Sequence, residues 1–373
     1  MLKGEYRIAL IHDELTRRGG AERVFEELIK LFPQADVYTL YAGKPMIRAG
    51  KTLYSVQTSY LQKLPIWFRR HPGRVLPLLP HAAEQFDFSW YHLVISSSSG
   101  FAKAIITRSN VPHICYCHAP TRYLWDKTAD PATQRAALLR WPLRVMQHYL
   151  RLVDYSAAQR VDRFIANSSY TQKGIHTYYR RYSEIVYPPV ETNFFTPDSK
   201  NKKAPDAPFL LVGRLTASKK FEQAIRVCEK LHLSLVVVGK GHDLHRLKKL
   251  AKNYTTFAGD ISQEQLRDYY RSARALLQPG LEDFGITSAE ALACGTPVIA
   301  YGQGGVLDIV KHNETGILYS QPREEALAEA IRIFLHEDKT YAPAALRESV
   351  IKFSPQYFAK SIYNQVEKAL QSN

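Results

Sequence analysis

The stretch Pro279-Gly-Leu-Glu-Asp-Phe-Gly-Ile-Thr-Ser-Ala-Glu-Ala-Leu-Ala-Cys-Gly-Thr-Pro-Val-Ile-Ala300 decides how the rest of the chain is read. Ala273 to Gln278 approaches it as the end of an apolar strand, and Gly280 breaks that strand. Thr287 or Ser288 can cap a short helix, Gly295 suits the left-handed residue after its last turn, and Pro297 forbids continuation. Val298 to Ala300 starts another buried strand. Glu282 falls in the loop and Glu290, eight positions on, in the first turn of the helix. Between them Phe284, Gly285 and Ile286 bring backbone N–H groups to a helix N-terminus, which attracts anions. An anion cradle flanked by two acids suits a ligand that carries both phosphates and hydroxyls. Thr287-x-x-Glu290 also fits a capping box, in which Glu290 only satisfies a backbone donor and Glu282 is a solvated loop acid.

Around this stretch the second half alternates strand and helix. Phe209-Leu-Leu-Val-Gly-Arg-Leu-Thr-Ala-Ser-Lys-Lys220 places Arg214 and Lys219 just past a strand end. Two cations converging on a diphosphate bind it and offset charge on a departing phosphate, whereas a solvated basic turn needs neither. Leu233-Ser-Leu-Val-Val-Val-Gly-Lys-Gly241 matches the dinucleotide fingerprint only in part, with Leu244 where a third small residue is expected. Thr256-Phe-Ala-Gly-Asp260 ends a further strand in a Gly259-Asp260 turn. Helices are expected over about 323–336 and 355–371.

The first half repeats the alternation. Tyr6 to His12 reads as a strand, Asp13 opens the loop, and Gly19-Gly20 precedes a helix over 21–31, where glycines let backbone approach a phosphate or simply turn the chain. Val111-Pro-His-Ile-Cys-Tyr-Cys-His118 is a strand whose last residue stands at the carboxyl edge of a sheet, where open α/β sheets bind ligands. Pro120 then forces the chain into a loop carrying Arg122, Tyr123, Trp125 and Asp126. Residues 135–163 read as helical, with Pro142 expected to kink or divide them. Pro188-Pro189 marks a passage between domains over 1–188 and 189–354, with 355–373 as a final helix.

At 373 residues the chain is long enough for two cores. It has 45% hydrophobic and 23% charged residues, which excludes a disordered chain. Residues 1–190 hold 26 Lys/Arg against 14 Asp/Glu, a balance of +12, while the remainder balances at only +3. That asymmetry points to an acidic surface facing the first half, nucleic acid or anionic lipid. Trp67-Phe68-Arg69-Arg70 has the mixture an interfacial membrane contact needs, although the aromatics could equally pack inside. No spanning segment or signal peptide is read, so a cytoplasmic chain, peripheral on a membrane, is expected. Four cysteines form neither a disulfide framework nor a zinc pattern, and Asp-x-Asp, which holds a cation on diphosphate, does not occur.

Glu282-x7-Glu290 resembles the signature of retaining glycosyltransferases of family 4, which have the GT-B fold. The Gly-Arg-Leu…Lys219 motif resembles the same family, and the run Tyr-Cys-His118-Ala-Pro-x-Arg-Tyr-x-Trp-Asp126 resembles one bacterial branch of it that includes O-antigen mannosyltransferases. The resemblance covers nearly the whole chain. It implies two doubly wound Rossmann-like α/β domains facing across a cleft, with acceptor on the first and nucleotide sugar on the second. By it, Glu282 and His118 face the donor sugar, Glu290 holds the ribose, and Arg214 and Lys219 hold the diphosphate. Gly19, Gly20, Asp283, Phe284, Gly285, Ile286 and Thr287 approach the donor with backbone groups, and Gly259 and Asp260 sit where relatives hold the base. Asp13, Arg122, Tyr123, Trp125 and Asp126 line the acceptor side. Many members have Gly after the lysine, where this chain has Lys220, so either Lys219 alone contacts phosphate or Lys220 shares the work.

The activity implied is metal-independent transfer of a hexose, mannose from GDP-mannose, onto a lipid-linked saccharide of a bacterial surface polysaccharide. It would take place on the inner face of the cytoplasmic membrane, with no nucleic acid partner and no cofactor besides the nucleotide-sugar substrate. A UDP-hexose donor is the alternative. An NAD-dependent oxidoreductase using the Gly239-Lys-Gly241 turn and a nucleic-acid-binding protein using the basic half are more distant ones, and neither explains paired acids and cations together.

Overall fold

The computed structural model describes residues 6–65, 75–126, 137–198, 204, 206–336 and 341–371. Trp67 to Arg70 therefore lies outside the described residues. The chain forms two compact units, Met1–Tyr187 with Phe358–Asn373, and Pro188–Tyr357.

In the first unit, uninterrupted apolar runs such as Ile8 to Ile11 are buried on both faces, as strands of a covered parallel sheet must be. The strands are β1 (Ile8–Leu15), β2 (Asp36–Ala42), β3 (Met46–Ala49), β4 (Thr52–Thr58), β5 (Leu93–Ser98), β6 (His113–Cys117), β7 (Arg163–Ala166) and β8 (Ser183–Ile185). They are ordered β3-β4-β2-β1-β5-β6-β7-β8, and all pairs are parallel except the β3–β4 hairpin. The helix Gly20–Leu31 buries Val24, Phe25, Leu28 and Ile29. The helix Pro355–Gln371 contributes Phe358, Ile362 and Val366 to the same core. Each such burial is worth about 1.5–3 kcal/mol.

Pro142 lies inside the helix Ala137–Gln159 without dividing it. It occupies the second turn, so only one intrahelical bond is lost. β5 runs on to Ser98, and a short 3-10 turn begins at Ala102. All four cysteines are buried free thiols, and burial pushes Cys115 up to about 12.

The second unit has β9 (Phe209–Val212), β10 (Leu235–Val238), β11 (Thr255–Gly259), β12 (Leu276–Gln278), β13 (Val298–Tyr301) and β14 (Gly316–Tyr319). Their order is β11-β10-β9-β12-β13-β14, all parallel. Both sheets are doubly wound. Strand order reverses between β1 and β5 in the first and between β9 and β12 in the second. A reversal leaves a crevice beyond the carboxyl ends of its strands, which is where such sheets take ligands. Among the described residues, no helix is long and apolar enough to cross a membrane.

Candidate active site

The reversal in the second unit gathers the residues of Pro279–Ala300. β9 ends at Val212, so Arg214, Lys219 and Lys220 follow it on one side. β12 ends at Gln278, so Glu282 follows it on the other. The two loops pass at close backbone approach. A Cβ on Gly280 would come within 2.8–2.9 Å of the Ser218 carbonyl and the Lys219 backbone. Glycine at 280 thus permits Lys219 Nζ to reach Glu282 Oε1, and the two form a part-buried ion pair. Arg214 is exposed and Lys219 half-buried, so their charges stay within reach of an incoming anion.

Glu282 is held from a second side. Gln278, buried at the end of β12, donates from Nε2 to Glu282 Oε1 at 2.9 Å and accepts from Thr287 Oγ1 at 3.3 Å. The Glu282 carbonyl accepts from Gly305 N at 2.9 Å, and a Cβ at Gly305 would fall 2.1 Å from the Asp283 carbonyl. Gln278 and Gly304-Gly305 are site residues that sequence reasoning missed. The run Gly302-Gln-Gly-Gly305 directly after a strand was the available signal for the second.

The helix spans Ile286–Ala293, and its N-cap is Gly285 at φ 102°, a left-handed conformation that favours glycine. Neither Thr287 nor Ser288 caps it, because both lie within the helix. The capping-box alternative fails for the same reason. Glu290 sits in the second turn, not the first. It is 1% exposed, and Tyr270, from the helix Gln263–Ser272, donates to its Oε2 at 2.9 Å. Phe284 is a buried anchor that meets the Phe353 ring edge-on at 5.2 Å. Asp283 and Ile286 flank it on the same turn.

Lys220 has φ 51°, and its Nζ lies 6.0 Å from the centre of the Tyr301 ring. The left-handed backbone is the physical reason glycine suits this position, and here lysine accepts the strain. Gly259 has φ 75°, and Asp260 is exposed and paired with Lys240 at 2.5 Å. The partial dinucleotide fingerprint has a different explanation. A Cβ at Gly239 would lie 2.0 Å from the Gly213 carbonyl and one at Gly241 2.2 Å from that of Leu215, so both glycines serve backbone packing.

The reversal in the first unit is built around His12 and Ser97, register neighbours on β1 and β5. Ser97 Oγ lies 3.0 Å from His12 Nδ1 and 2.7 Å from His118 Nε2, so one hydroxyl joins two rings. Burial, with His12 adding to it, lowers the His118 pKa to about 3, and the ring is neutral at physiological pH. It can exchange hydrogen bonds but cannot act as a cation. The His118 carbonyl accepts from Asn167 Nδ2 at 2.8 Å and from Thr171 Oγ1 at 3.3 Å, which fixes the strand end.

Two residues expected on the acceptor side also make hydrogen bonds that hold the fold. The Asp13 carboxylate accepts from Ser99 N at 2.6 Å and Ala102 N at 2.7 Å, with Ser98 Oγ and Ser99 Oγ also within reach, and so ties down the turn after β5. Trp125 donates Nε1 to Asp154 Oδ2 at 2.7 Å and stacks on Tyr178. Asp154 is the hub of a buried network: Lys103 Nζ at 2.6 Å, Thr121 Oγ1 at 2.8 Å and Tyr179 Oη at 2.9 Å all reach its carboxylate. Burial alone would push the Lys103 pKa down, but the charge of Asp154 outweighs it and holds Lys103 well above its ordinary value. Tyr123 has a buried hydroxyl with no hydrogen-bond partner among the described residues, and Arg122 and Asp126 bracket it on the one-turn helix Arg122–Trp125 and its cap. Gly19 caps the helix Gly20–Leu31, and its N–H is taken by Glu22 Oε2 at 2.8 Å. That amide is thus satisfied within the chain. Among the described residues no cluster of three metal-ligating side chains occurs.

A groove of about 400 Å³ lies instead at the amino ends of β6, β7 and β8, beside Arg163, Arg181 and Glu184. Its charges are committed to the fold. Arg181 donates to the Val161 and Ala158 carbonyls, and Glu184 binds Gln365 and Lys368.

Comparison with known proteins agrees with this geometry. The family described as Glycosyltransferase Family 4 matches residues 18–194, and Glycosyl transferases group 1 matches residues 193–352. The D-inositol 3-phosphate glycosyltransferase of Mycobacteroides abscessus is 30% identical over 207 residues, 50% of this chain and 46% of that protein. The chain spans about half the length of such curated relatives. The human GDP-Man:Man(3)GlcNAc(2)-PP-Dol alpha-1,2-mannosyltransferase is 27% identical across 98% of this chain and 87% of its own. Among solved structures, sucrose-phosphate synthase from Thermosynechococcus elongatus superposes with a TM-score of 0.75 at 20% identity, covering 99% of this chain and 100% of that one. That likeness is one of fold. Two doubly wound parallel sheets, two adjoining family matches that together run from residue 18 to 352, and Glu282 and Glu290 on one loop and helix lead to one conclusion: the chain belongs to glycosyltransferase family 4.

Proposed function

We propose that this chain is a retaining, metal-independent hexosyltransferase. It moves mannose from GDP-mannose onto a lipid-linked saccharide during synthesis of a bacterial surface polysaccharide, at an anionic membrane surface. The observation that carries the reading is the Lys219–Glu282 ion pair at the strand reversal, with Glu290 buried eight residues on. A diphosphate would compete with Glu282 for Lys219. Its arrival releases the carboxylate to accept from sugar hydroxyls, while Arg214 and Lys219 offset charge on the leaving phosphate. Tyr270 holds Glu290 in place for the ribose hydroxyls. Gln278 keeps Glu282 oriented once the lysine has turned away. The mannosyl and GDP parts are supported by the human relative named above and by the resemblance of the His118 and Glu282 segments.

The wrong epimer of the sugar leaves a buried polar group mispaired, at a cost of about 1–3 kcal/mol. That is enough for the site to select one hexose. Titration calorimetry with GDP and UDP tests the donor without knowledge of the acceptor. Tighter binding of GDP is expected, and tighter binding of UDP replaces the donor with a UDP-hexose. A donor screen against lipid extract, read by mass spectrometry, then identifies the product.

A further inference from the structure

The helix Ala137–Gln159 packs on the first unit by one side only. Gln147, Leu150, Asp154, Ala157 and Ala158 are buried, and Met146 and Val153 are packed against the core. The other side carries a continuous stripe: Trp141 is 75% exposed, Val145 50%, Tyr149 64% and Leu152 59%. Steps of four, four and three residues place these on one face of an α-helix. Exposed aromatic and aliphatic side chains of this size in one row are a surface built for contact.

The charges on the same helix say with what. Its only acid is Asp154, and that carboxylate is buried against Lys103. Arg144 and His148 are exposed beside the stripe, so the outward face carries positive charge and no negative charge. It belongs to the half of the chain with a balance of +12. Trp and Tyr are the side chains that settle at the boundary between head groups and acyl chains, where the ring is apolar and the N–H or O–H stays wet. A second copy of this chain fits poorly, since a two-fold contact would bring this basic face near its own like charge.

We infer that the outward face of Ala137–Gln159 lies in the interfacial layer of an anionic membrane, with Trp141, Val145, Tyr149 and Leu152 inserted and Arg144 on the head groups. This deepens the reading of a membrane-borne acceptor and names the surface that meets the lipid. The surface itself rests on the exposed row and its charge, not on the identity of the donor.

The test is sedimentation of the full chain with vesicles of phosphatidylcholine, with and without phosphatidylglycerol, at low and physiological salt. The wild-type chain is expected to favour the anionic vesicles, with binding that falls as salt rises. The variant Trp141→Ser/Tyr149→Ser/Leu152→Ser is expected to lose at least about ten-fold in partitioning, since insertion scales with buried apolar area. Arg144→Glu, which leaves the stripe intact, should lose several-fold and show a weaker salt dependence. Nucleotide affinity, measured by calorimetry without vesicles, should stay unchanged in both variants. That readout separates a failed donor reading from a failed surface, and an unchanged urea midpoint separates a correctly folded variant from a misfolded one. Undiminished vesicle binding in both variants overturns the inference, as does a wild-type chain that ignores anionic vesicles. Loss of a dimer in the triple variant, with no vesicle binding by the wild type, would give the face to a second copy.

Discussion

The two strand reversals share a topology and are built from opposite materials. In the first unit, His12 in β1, Ser97 near the end of β5 and His118 just past β6 meet, buried, with the His118 ring held neutral. In the second, Lys219 meets Glu282 with Arg214 exposed nearby, and the groups keep access to water. Topology supplies a crevice in both places, but burial decides what it can do. A desolvated imidazole gives directed hydrogen bonds and no charge. A part-exposed ion pair keeps its charges and can exchange partners with a diphosphate. Beneath the neutral crevice the one fully buried ion pair among those described, Lys103–Asp154, fixes the loop after His118.

The largest effect should come from that buried pair. Lys103→Met leaves Asp154 uncompensated, with an expected loss of about 3–5 kcal/mol in denaturant unfolding of the first unit. A loss below about 1 kcal/mol would mean the network is not what holds the loop. Next is Glu282→Gln, which keeps shape and removes charge. Turnover is expected to fall about 100–1000-fold with little change in melting. His118→Asn, which replaces a neutral hydrogen-bonding group by another, should cost only about ten-fold. Equal losses in steady-state assays would erase the contrast between a charged and a neutral crevice.

A pH series sharpens it further. Burial lowers His113 and His118 to about 3 from an ordinary value of 6.5. Below 6.5 the unfolded chain binds protons that the native state refuses, so stability falls as pH drops from 6.5 toward 3. Urea midpoints at pH 7.5 and pH 5 read this, and His118→Asn should flatten the slope. An unchanged slope would show that the ring is not buried neutral. The smallest effect is at Lys220, whose backbone is left-handed at φ 51°. Lys220→Gly should raise stability by about 1 kcal/mol. If donor affinity drops as well in calorimetry, the Lys220 ammonium does share the phosphate contact.

The alternation of apolar runs with amphipathic stretches was enough to read two doubly wound domains, because a strand buried on both faces has no polar alternation to obscure it. The hairpin β3–β4 escaped notice for the opposite reason. Thr52 and Leu53 are exposed at an edge, and no apolar periodicity marks the pair. Glu282, Arg214 and His118 were legible because each follows a strand end within a few residues, and chain order alone puts strand ends at one edge of a parallel sheet; Glu290 was legible by its spacing from Glu282.

The sequence by itself determined which residues stand at those edges. Only the tertiary structure decided what they do there. Asp13 and Trp125 read as acceptor contacts, and only the structure shows that they also hold the turn after β5 and the Asp154 carboxylate. Tyr270 was silent, because its partner Glu290 lies on another helix and a hydrogen bond across segments leaves no periodic trace. The neutral state of His118 was hidden for the same reason. A pKa depends on how much water the neighbours exclude, and exclusion is a property of packing that no single stretch of chain carries.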